Sequence, residues 1–584
     1  MRTATPPEAE TETVEADRKT PGPTRAHRIR AGGGTAAVIL AGTALIAAHA
    51  TRYGQWIMDD AAITFAYSRS IVDGLGPVLQ PGADPVEAFS NPTWMLLLAF
   101  GKLVGLFDEG TLFGVPDYVL FPKALALVCC AGMLTLFYIA VKPITSRPRL
   151  VTLVAGAGLA AVPSFVIWTF SGLENSLYAL VVVALAVVIQ RAVLADRLLT
   201  WKVAVATGLL VSAAALTRPD GLIYAAAYPA VVLIHLDRIR LGASVRAVLF
   251  SAAGFIVVFG GYLVWRWNTF HLLVANTVVA KAQKPPGFED LGKASELVAY
   301  AGWIVVLVVA LCLTAVMLRP SRLRSGLVAP VVTLALAVAA YCVLPADWMG
   351  ELRFATPVWA LGALVGAVAV VETMRLARRR GRIAIGAGLV IGIALSLAQF
   401  QTSSEEYRAA VKTPLCVVAE RDGRTLNGLA DRLGLDRGSA AVIDLGGTSL
   451  TSRLDLIDLG GLGDARTARF VGADDWAGLR DHVFNEAKPS FITTIGSWDR
   501  TIGFPTDPRF ERDYATVYHG PEMGGINYSY NYVGFWVRKD LLPNAAKLDE
   551  LRTYARGRLD PIMEQNVAAP RRTCGPELRR GQTS

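Results

Sequence analysis

The chain has 584 residues, 53% of them hydrophobic and 18% charged, with a formal net charge of +9 and a mean hydropathy of +0.41. That apolar content exceeds what the core of a soluble protein of this length holds, so a soluble class is excluded first. The positive charge stands as Arg and Lys in short loops between apolar runs, which reads as membrane topology and not as a nucleic-acid surface.

Residues 1–30 are rich in Thr, Pro, Glu and Arg without apolar periodicity, which predicts a disordered cytoplasmic leader ending in Arg25, Arg28 and Arg30. Residues 31–400 form the membrane domain. Apolar runs of near-membrane length occur at 32–51, 119–141, 150–170, 174–194, 201–217, 221–237, 246–268, 297–318, 328–345, 353–373 and 383–400, about eleven transmembrane helices. The first run lacks an A-x-A cleavage site followed by a secreted domain, so it reads as a retained helix. A further run, 94–107, is shorter and interrupted by Lys102.

Charge parity decides how that run lies. If 94–107 does not cross, the basic loops around Arg147 and Arg149, Arg191 and Arg197, Arg238 and Arg240, Arg322 and Arg324, and Arg378 to Arg380 all fall on the side of the basic N-terminus. The run is therefore expected to lie on the membrane surface. The polar loops 51–118, 171–174, 218–221, 270–296 and 346–352 then gather on the other side, together with residues 401–584. The expected location is the cytoplasmic (inner) membrane, multi-pass, with site and C-terminal domain extracytoplasmic.

From residue 401 strand-like runs at 440–445, 490–494 and 532–537 alternate with helix-like stretches such as 421–433, predicting a soluble α/β C-terminal domain. Tyr528, Tyr530 and Tyr532 read either as a carbohydrate-binding face or as one core-facing side of a strand. Cys129, Cys130, Cys312 and Cys342 lie in apolar runs. Cys416 and Cys574 flank the tail, and are either a disulfide, if the tail is exported, or two free thiols.

The polar loops hold the residues able to carry chemistry. Asp59-Asp60 opens the helix after the first span; acids there either cap it or supply a general base to a sugar hydroxyl, a poor nucleophile until its proton has somewhere to go. Arg218, Lys281 and Arg353 are cations suited to a phosphate, or else helix-end anchors and a surface charge. His271 reads as a phosphate donor or an interfacial histidine. Glu174 and Asp220 sit in turns too tight to be linkers, as caps or as partners of a cation. Trp348 beside Asp347 either stacks on a sugar or belongs to an aromatic belt. No Cys/His zinc spacing, Walker loop or G-x-S-x-G elbow stands in a confirming context. Asp59 and Asp60 would suit a divalent cation, yet without a third carboxylate no metal and no cofactor is assigned.

With Gly74, Gly76, Pro81, Gly82, Glu87, Asn91, Pro92 and Trp94 following the acid pair, the chain resembles the GT-C glycosyltransferase superfamily, and within it the actinobacterial terminal β-(1→2)-arabinofuranosyltransferase family of cell-wall arabinan synthesis. The matching stretches are Asp59-Asp60 with Ile63-Thr64-Phe65, Ser171 to Glu174, Thr217 to Gly221, Asn276-Thr277 with Ala280-Lys281, Asp347-Trp348-Met349 with Arg353-Phe354 and Pro357, Asp444-Leu445-Gly446, and Ile457 to Asp464. The resemblance implies a polyprenyl-phosphate sugar donor such as decaprenyl-phospho-arabinose, and an arabinan or other glycan acceptor. It also implies Asp59 as the acid at the reacting hydroxyl with Asp60 as partner. The donor phosphate falls to Arg218, Lys281, Arg353 and His271, and substrate contacts to Glu174, Asp220, Asn276, Asp347 and Trp348. A β link made from a β-configured donor retains configuration, so a single displacement driven by an Asp base does not suffice. Two other readings stand: a mannosyltransferase using polyprenyl-phosphate-mannose, and a lipid-linked sugar transporter or flippase. The transporter predicts inverted repeats and mid-span acids, which the sequence lacks.

Overall fold

The computed structural model describes residues 25–282, 287–345, 347–496, 498–520, 533–565 and 573–583. Leader residues 1–24, Lys284-Pro285-Pro286 and the tyrosine run at 528–532 therefore lie outside the described residues. The first helix, Arg25–Ala50, already begins inside the segment read as a leader.

Among the described residues seven helices are long and apolar enough to cross a membrane, including Gly33–Tyr53, Asp117–Val141, Asn175–Leu194 and Arg353–Leu376. Two further expected spans are bent pairs. Pro148–Ala161 turns by 80° into Pro163–Thr169, and Asp290–Ala301 by 103° into Trp303–Met317. Pro163 explains the first bend, since proline has no N–H to give the preceding turn. Gly302, at φ 94, supplies the second. The remaining two, Trp201–Thr217 and Pro219–Ile234, are shorter apolar helices. The chain is a multi-pass membrane protein.

The run expected at the surface is a helix of 12 residues, Pro92–Leu103. At about 1.5 Å per residue it is too short to span a bilayer. One side buries Trp94, Met95 and Leu98, while Leu96, Phe100 and Leu103 are exposed.

Beyond the last long helix, Arg379–Ala409, helices pack around a five-stranded sheet. Its strands are β1 (Ser439–Val442), β2 (Asp455–Asp458), β3 (Phe491–Ile495), β4 (Tyr514–His519) and β5 (Val533–Arg538), in the order β2-β1-β3-β5-β4. β1 is parallel to β2 and β3, whereas β5 is antiparallel to β3 and β4. β3 is buried at all five positions, as a central strand covered on both faces must be. Three of these strands overlap the runs 440–445, 490–494 and 532–537.

Cys416 and Cys574, 158 residues apart, form a disulfide that pins the chain's C-terminal stretch to the first segment after the last long helix. Denatured without reductant, the protein is expected to expose four thiols, from Cys129, Cys130, Cys312 and Cys342, and six after reduction; six from the start would remove the bridge. Cys574→Ser paired with Cys416→Ser is expected to destabilise the C-terminal part by about 2–5 kcal/mol, read as earlier unfolding in detergent.

Candidate functional site

The acid pair is set in place by backbone pairing on two sides. The extended stretch before it accepts and donates across residues 413–415, with Asp59 N to Thr413 O at 3.0 Å and Leu415 N to Ile57 O at 3.0 Å, while Met58 N donates to Ser171 O at 2.9 Å. Gly172 permits that approach: at φ 90, a Cβ there would stand 2.9 Å from Ile57. The Asp59–Val72 helix starts from this frame.

Asp59 is buried and faces the C-terminal half. Its carboxylate accepts hydrogen bonds from Gly446 N at 3.1 Å and Gly447 N at 2.7 Å, in the first turn of the Gly446–Thr451 helix. It thus caps a helix 387 residues further along the chain, not its own. Burial and the nearby Asp444 carboxylate push its pKa well above the ordinary range, opposed by the Gly447 N–H. Asp444 is raised by burial as well, against the pull of Arg421, whose guanidinium is held by both Asp444 and Asp422. Arg421 and Asp444 were not among the expected site residues, although Asp444-Leu445-Gly446 stood among the matching stretches.

Asp60 is half-buried. Burial raises its pKa, while Arg353 and Lys281 favour its charge and Asp347 and Glu174 oppose it. Those five side chains, from four separate loops, make up one electrostatic cluster. Of the pair, Asp60 is the acid whose charged form Arg353 and Lys281 favour.

The cations differ in how far they are already neutralised. Arg218 donates to Glu174 at 2.9 Å and to Asp220 at 2.9 Å, so two carboxylates hold one guanidinium. Glu174 also accepts from Asn91 at 2.8 Å, and Asp220 from Tyr178 at 2.9 Å. Neither acid caps the helix it begins. Arg353 has one acid, Asp347 at 2.8 Å, and a contact to Met349 Sδ. The guanidinium carbons of Arg218 and Arg353 stand 4.8 and 4.7 Å from the ring of Phe354, each contact worth about 0.5–2 kcal/mol. Lys281, exposed at the end of the Asn276–Lys281 helix, has no ion pair among the described residues.

The Lys281 helix is latched to the C-terminal half. Asn276 Nδ2 donates to Gly461 O at 2.8 Å, Leu462 O at 2.9 Å and Asp464 O at 3.3 Å, while its backbone N donates to Glu87 O at 3.1 Å. The loop that receives it is shaped by Asp458, which accepts from Gly460 N at 2.9 Å and Gly463 N at 2.7 Å and is pushed up to about 7 by burial. Asn276 thus sits in a backbone latch. Trp348 is 51% exposed beside Asp347. His271 ends its helix in a left-handed conformation, exposed, and no hydrogen bond or ion pair ties it to the cluster among the described residues. Sequence reasoning passed over the buried pair of Glu87 with Arg266, 2.6 Å apart, although Glu87 was in view. Among the described residues no group of three or more His, Cys, Asp or Glu is placed to hold a metal ion.

No family model and no curated relative matches the chain. Solved structures do. ArnT from Cupriavidus metallidurans in the apo state is 13% identical over 86% of this chain and 98% of that one, with a TM-score of 0.51. The same protein bound to undecaprenyl phosphate gives 12% identity over 87% and 98%, with a TM-score of 0.50. Arabinofuranosyltransferase AftD from Mycobacteria is 13% identical over 87% of this chain but only 42% of its own, at a TM-score of 0.45, too low to argue from. At these identities the likeness to ArnT is one of fold alone.

Proposed function

We propose that the chain is a GT-C glycosyltransferase that moves a sugar, arabinofuranose in the reading its motifs favour, from a polyprenyl-phosphate donor to a cell-envelope polysaccharide. The acceptor is the arabinan of arabinogalactan or lipoarabinomannan, and the site and the C-terminal half lie on the extracytoplasmic side of the cytoplasmic membrane. The carrying observation is the cluster in which Arg353 and Lys281 favour the charge of Asp60, two cations within electrostatic reach of an acid. Glycosyl transfer from a lipid phosphate needs both: a base for the hydroxyl proton and positive charge for the departing phosphate. The shared fold with a protein solved with undecaprenyl phosphate supports a lipid-phosphate donor.

Within this reading Asp60, and not Asp59, takes the proton. Asp59 spends both oxygens on Gly446 and Gly447, which leaves it as the positioning residue of the pair. The acceptor hydroxyl gives its proton to the Asp60 carboxylate and its oxygen bonds to the anomeric carbon, and for a β link from a β-configured donor it does so from the face that the phosphate leaves, not by backside displacement. The bond from that carbon to the phosphate oxygen breaks, and polyprenyl phosphate leaves with its charge held by Lys281 and Arg353. Arg218, already shared by Glu174 and Asp220, supports the wall of the site through Phe354 and does not meet the phosphate first. Asp347 orients Arg353, and Trp348 is free to lie against a sugar ring.

Purified protein given polyprenyl-phospho-arabinose and a synthetic arabinan acceptor is expected to form an arabinosylated product. Product from polyprenyl-phosphate-mannose alone would overturn the sugar assignment, and no transfer from either the enzyme reading. Asp60→Asn is expected to lower kcat by about 10²–10⁴-fold with an unchanged melting temperature. Asp59→Asn should instead lower the melting temperature, because an amide cannot accept from both glycine N–H groups without turning its own N–H₂ towards one of them. The opposite pattern would return the base role to Asp59.

Asp60 must be ionised to accept the proton, and burial raises its pKa, so the active form is lost as pH falls through that raised value. The acidic limb of kcat/KM is expected above the ordinary carboxylate range. A limb at the ordinary range, or one that persists in the residual activity of Asp60→Asn, would assign it to another group.

A further inference from the structure

At the far end of the Asp59–Val72 helix, a cleft of about 330 Å³ opens between the first loop segments and the C-terminal stretch. Its size falls in the roughly 300–1,000 Å³ range of small-molecule sites. The C-terminal stretch forms one wall and is tied down: Arg69 donates to Leu578 O at 2.7 Å, Arg580 to Leu79 O at 2.9 Å, and Gly581 N to Thr451 O at 2.9 Å.

Its lining carries four cations and four carboxylates. Arg69 is paired with Asp108 at 2.6 Å, Lys102 with Glu109 at 2.8 Å, and Arg579 with Glu577. Arg580 and Asp73 remain without an ion pair among the described residues. The formal charges cancel, which disfavours a phosphate or a polycation. Two buried polar atoms of the lining also lack a hydrogen-bond partner: Arg580 Nε, and the hydroxyl of Ser70, whose residue is 1% exposed. A buried donor left unmade costs about 1–3 kcal/mol, so both atoms call for a ligand that supplies partners.

We propose that this cleft is a glycan subsite, taking sugar hydroxyls of the acceptor. A hydroxyl both donates and accepts, so a neutral polyol can accept from Arg580 Nε, donate to Asp73 and satisfy Ser70 at once, which no simple ion does. Ser70 lies ten residues after Asp60 on one helix, about 15 Å at the helical rise, so the cleft holds a unit of the acceptor remote from the reacting hydroxyl. Binding energy from such a unit is available to position the reacting end. This inference rests on the glycosyltransferase reading and adds where its acceptor is gripped.

The test uses the full-length protein in detergent with arabinan fragments of increasing length. In the wild type the acceptor KM is expected to fall with length; in Arg580→Met and Ser70→Ala the long-fragment KM is expected to rise about five- to tenfold, with kcat/KM on the shortest fragment unchanged. A length dependence identical in wild type and both variants would overturn the subsite. If no fragment is glycosylated by the wild type, the glycosyltransferase reading fails, and ligand-observed NMR with the long fragment decides the subsite separately. Binding lost in Arg580→Met but kept in Asp60→Asn supports it. Binding equal in both, or absent from the wild type, overturns it.

Discussion

The arrangement depends on one buried contact, the Asp59 carboxylate against the N–H groups of Gly446 and Gly447. A charge-assisted hydrogen bond of this kind is roughly twice as strong as a neutral one, and removing either side strands a buried polar group. The contact requires two bare glycines. A Cβ on Gly446 would stand 2.0 Å from Asp59 O, and one on Gly447 2.5 Å from Ala419 N. The membrane helices and the sheet-containing half are therefore not two units joined by a tether. Asn276 with the loop after β2, and the pairing of 57–59 with 413–415, repeat the same junction at two more points.

That junction explains what the sequence could and could not disclose. The long helices and β1, β3 and β5 follow from hydropathy run length and strand-like composition, which are local properties, and they fall close to where the residues placed them. The 103° bend between Ala301 and Trp303 was read as one span, because Gly302 in an apolar run looks like any other small residue until its φ is known. The Asp59-Asp60 pair was legible as a candidate site. Which of the two the proposed reaction uses was not, since that choice turns on glycines 387 positions later. Glu174 and Asp220 read either as helix caps or as partners of a cation, and the fold brings Arg218 between them.

Arg353 is delivered by a turn that the chain does not adopt readily. Glu351 and Leu352 are consecutive non-glycine residues at φ 47 and 46, each left-handed at about 1–2 kcal/mol. The surroundings hold them there. Tyr300 donates to the Glu351 carboxylate at 2.7 Å and Ser403 at 2.9 Å, while Trp168 Nε1 donates to the Glu351 backbone oxygen at 3.0 Å. Those three partners come from the second bent pair, the long Arg379–Ala409 helix and the first bent pair. Both bends that hydropathy could not reveal therefore bear on the placement of one guanidinium.

The proposed site thus has cations of graded availability, set by neighbours and not by residue type. Arg218 is shared by two carboxylates and stacked on Phe354; Arg353 is bound by one and stacked on the other contact of the same ring; Lys281 has none among the described residues. An incoming phosphate gains most from the charge that has least to give up, because breaking an existing buried pair costs several kcal/mol before any new one forms. In the proposed reaction the order of engagement is Lys281 first, then Arg353 by turning part of its donor fork away from Asp347, with Arg218 as a fixed wall. Sequence alone ranks the three equally, and the ranking comes entirely from which acids the fold has already placed beside them.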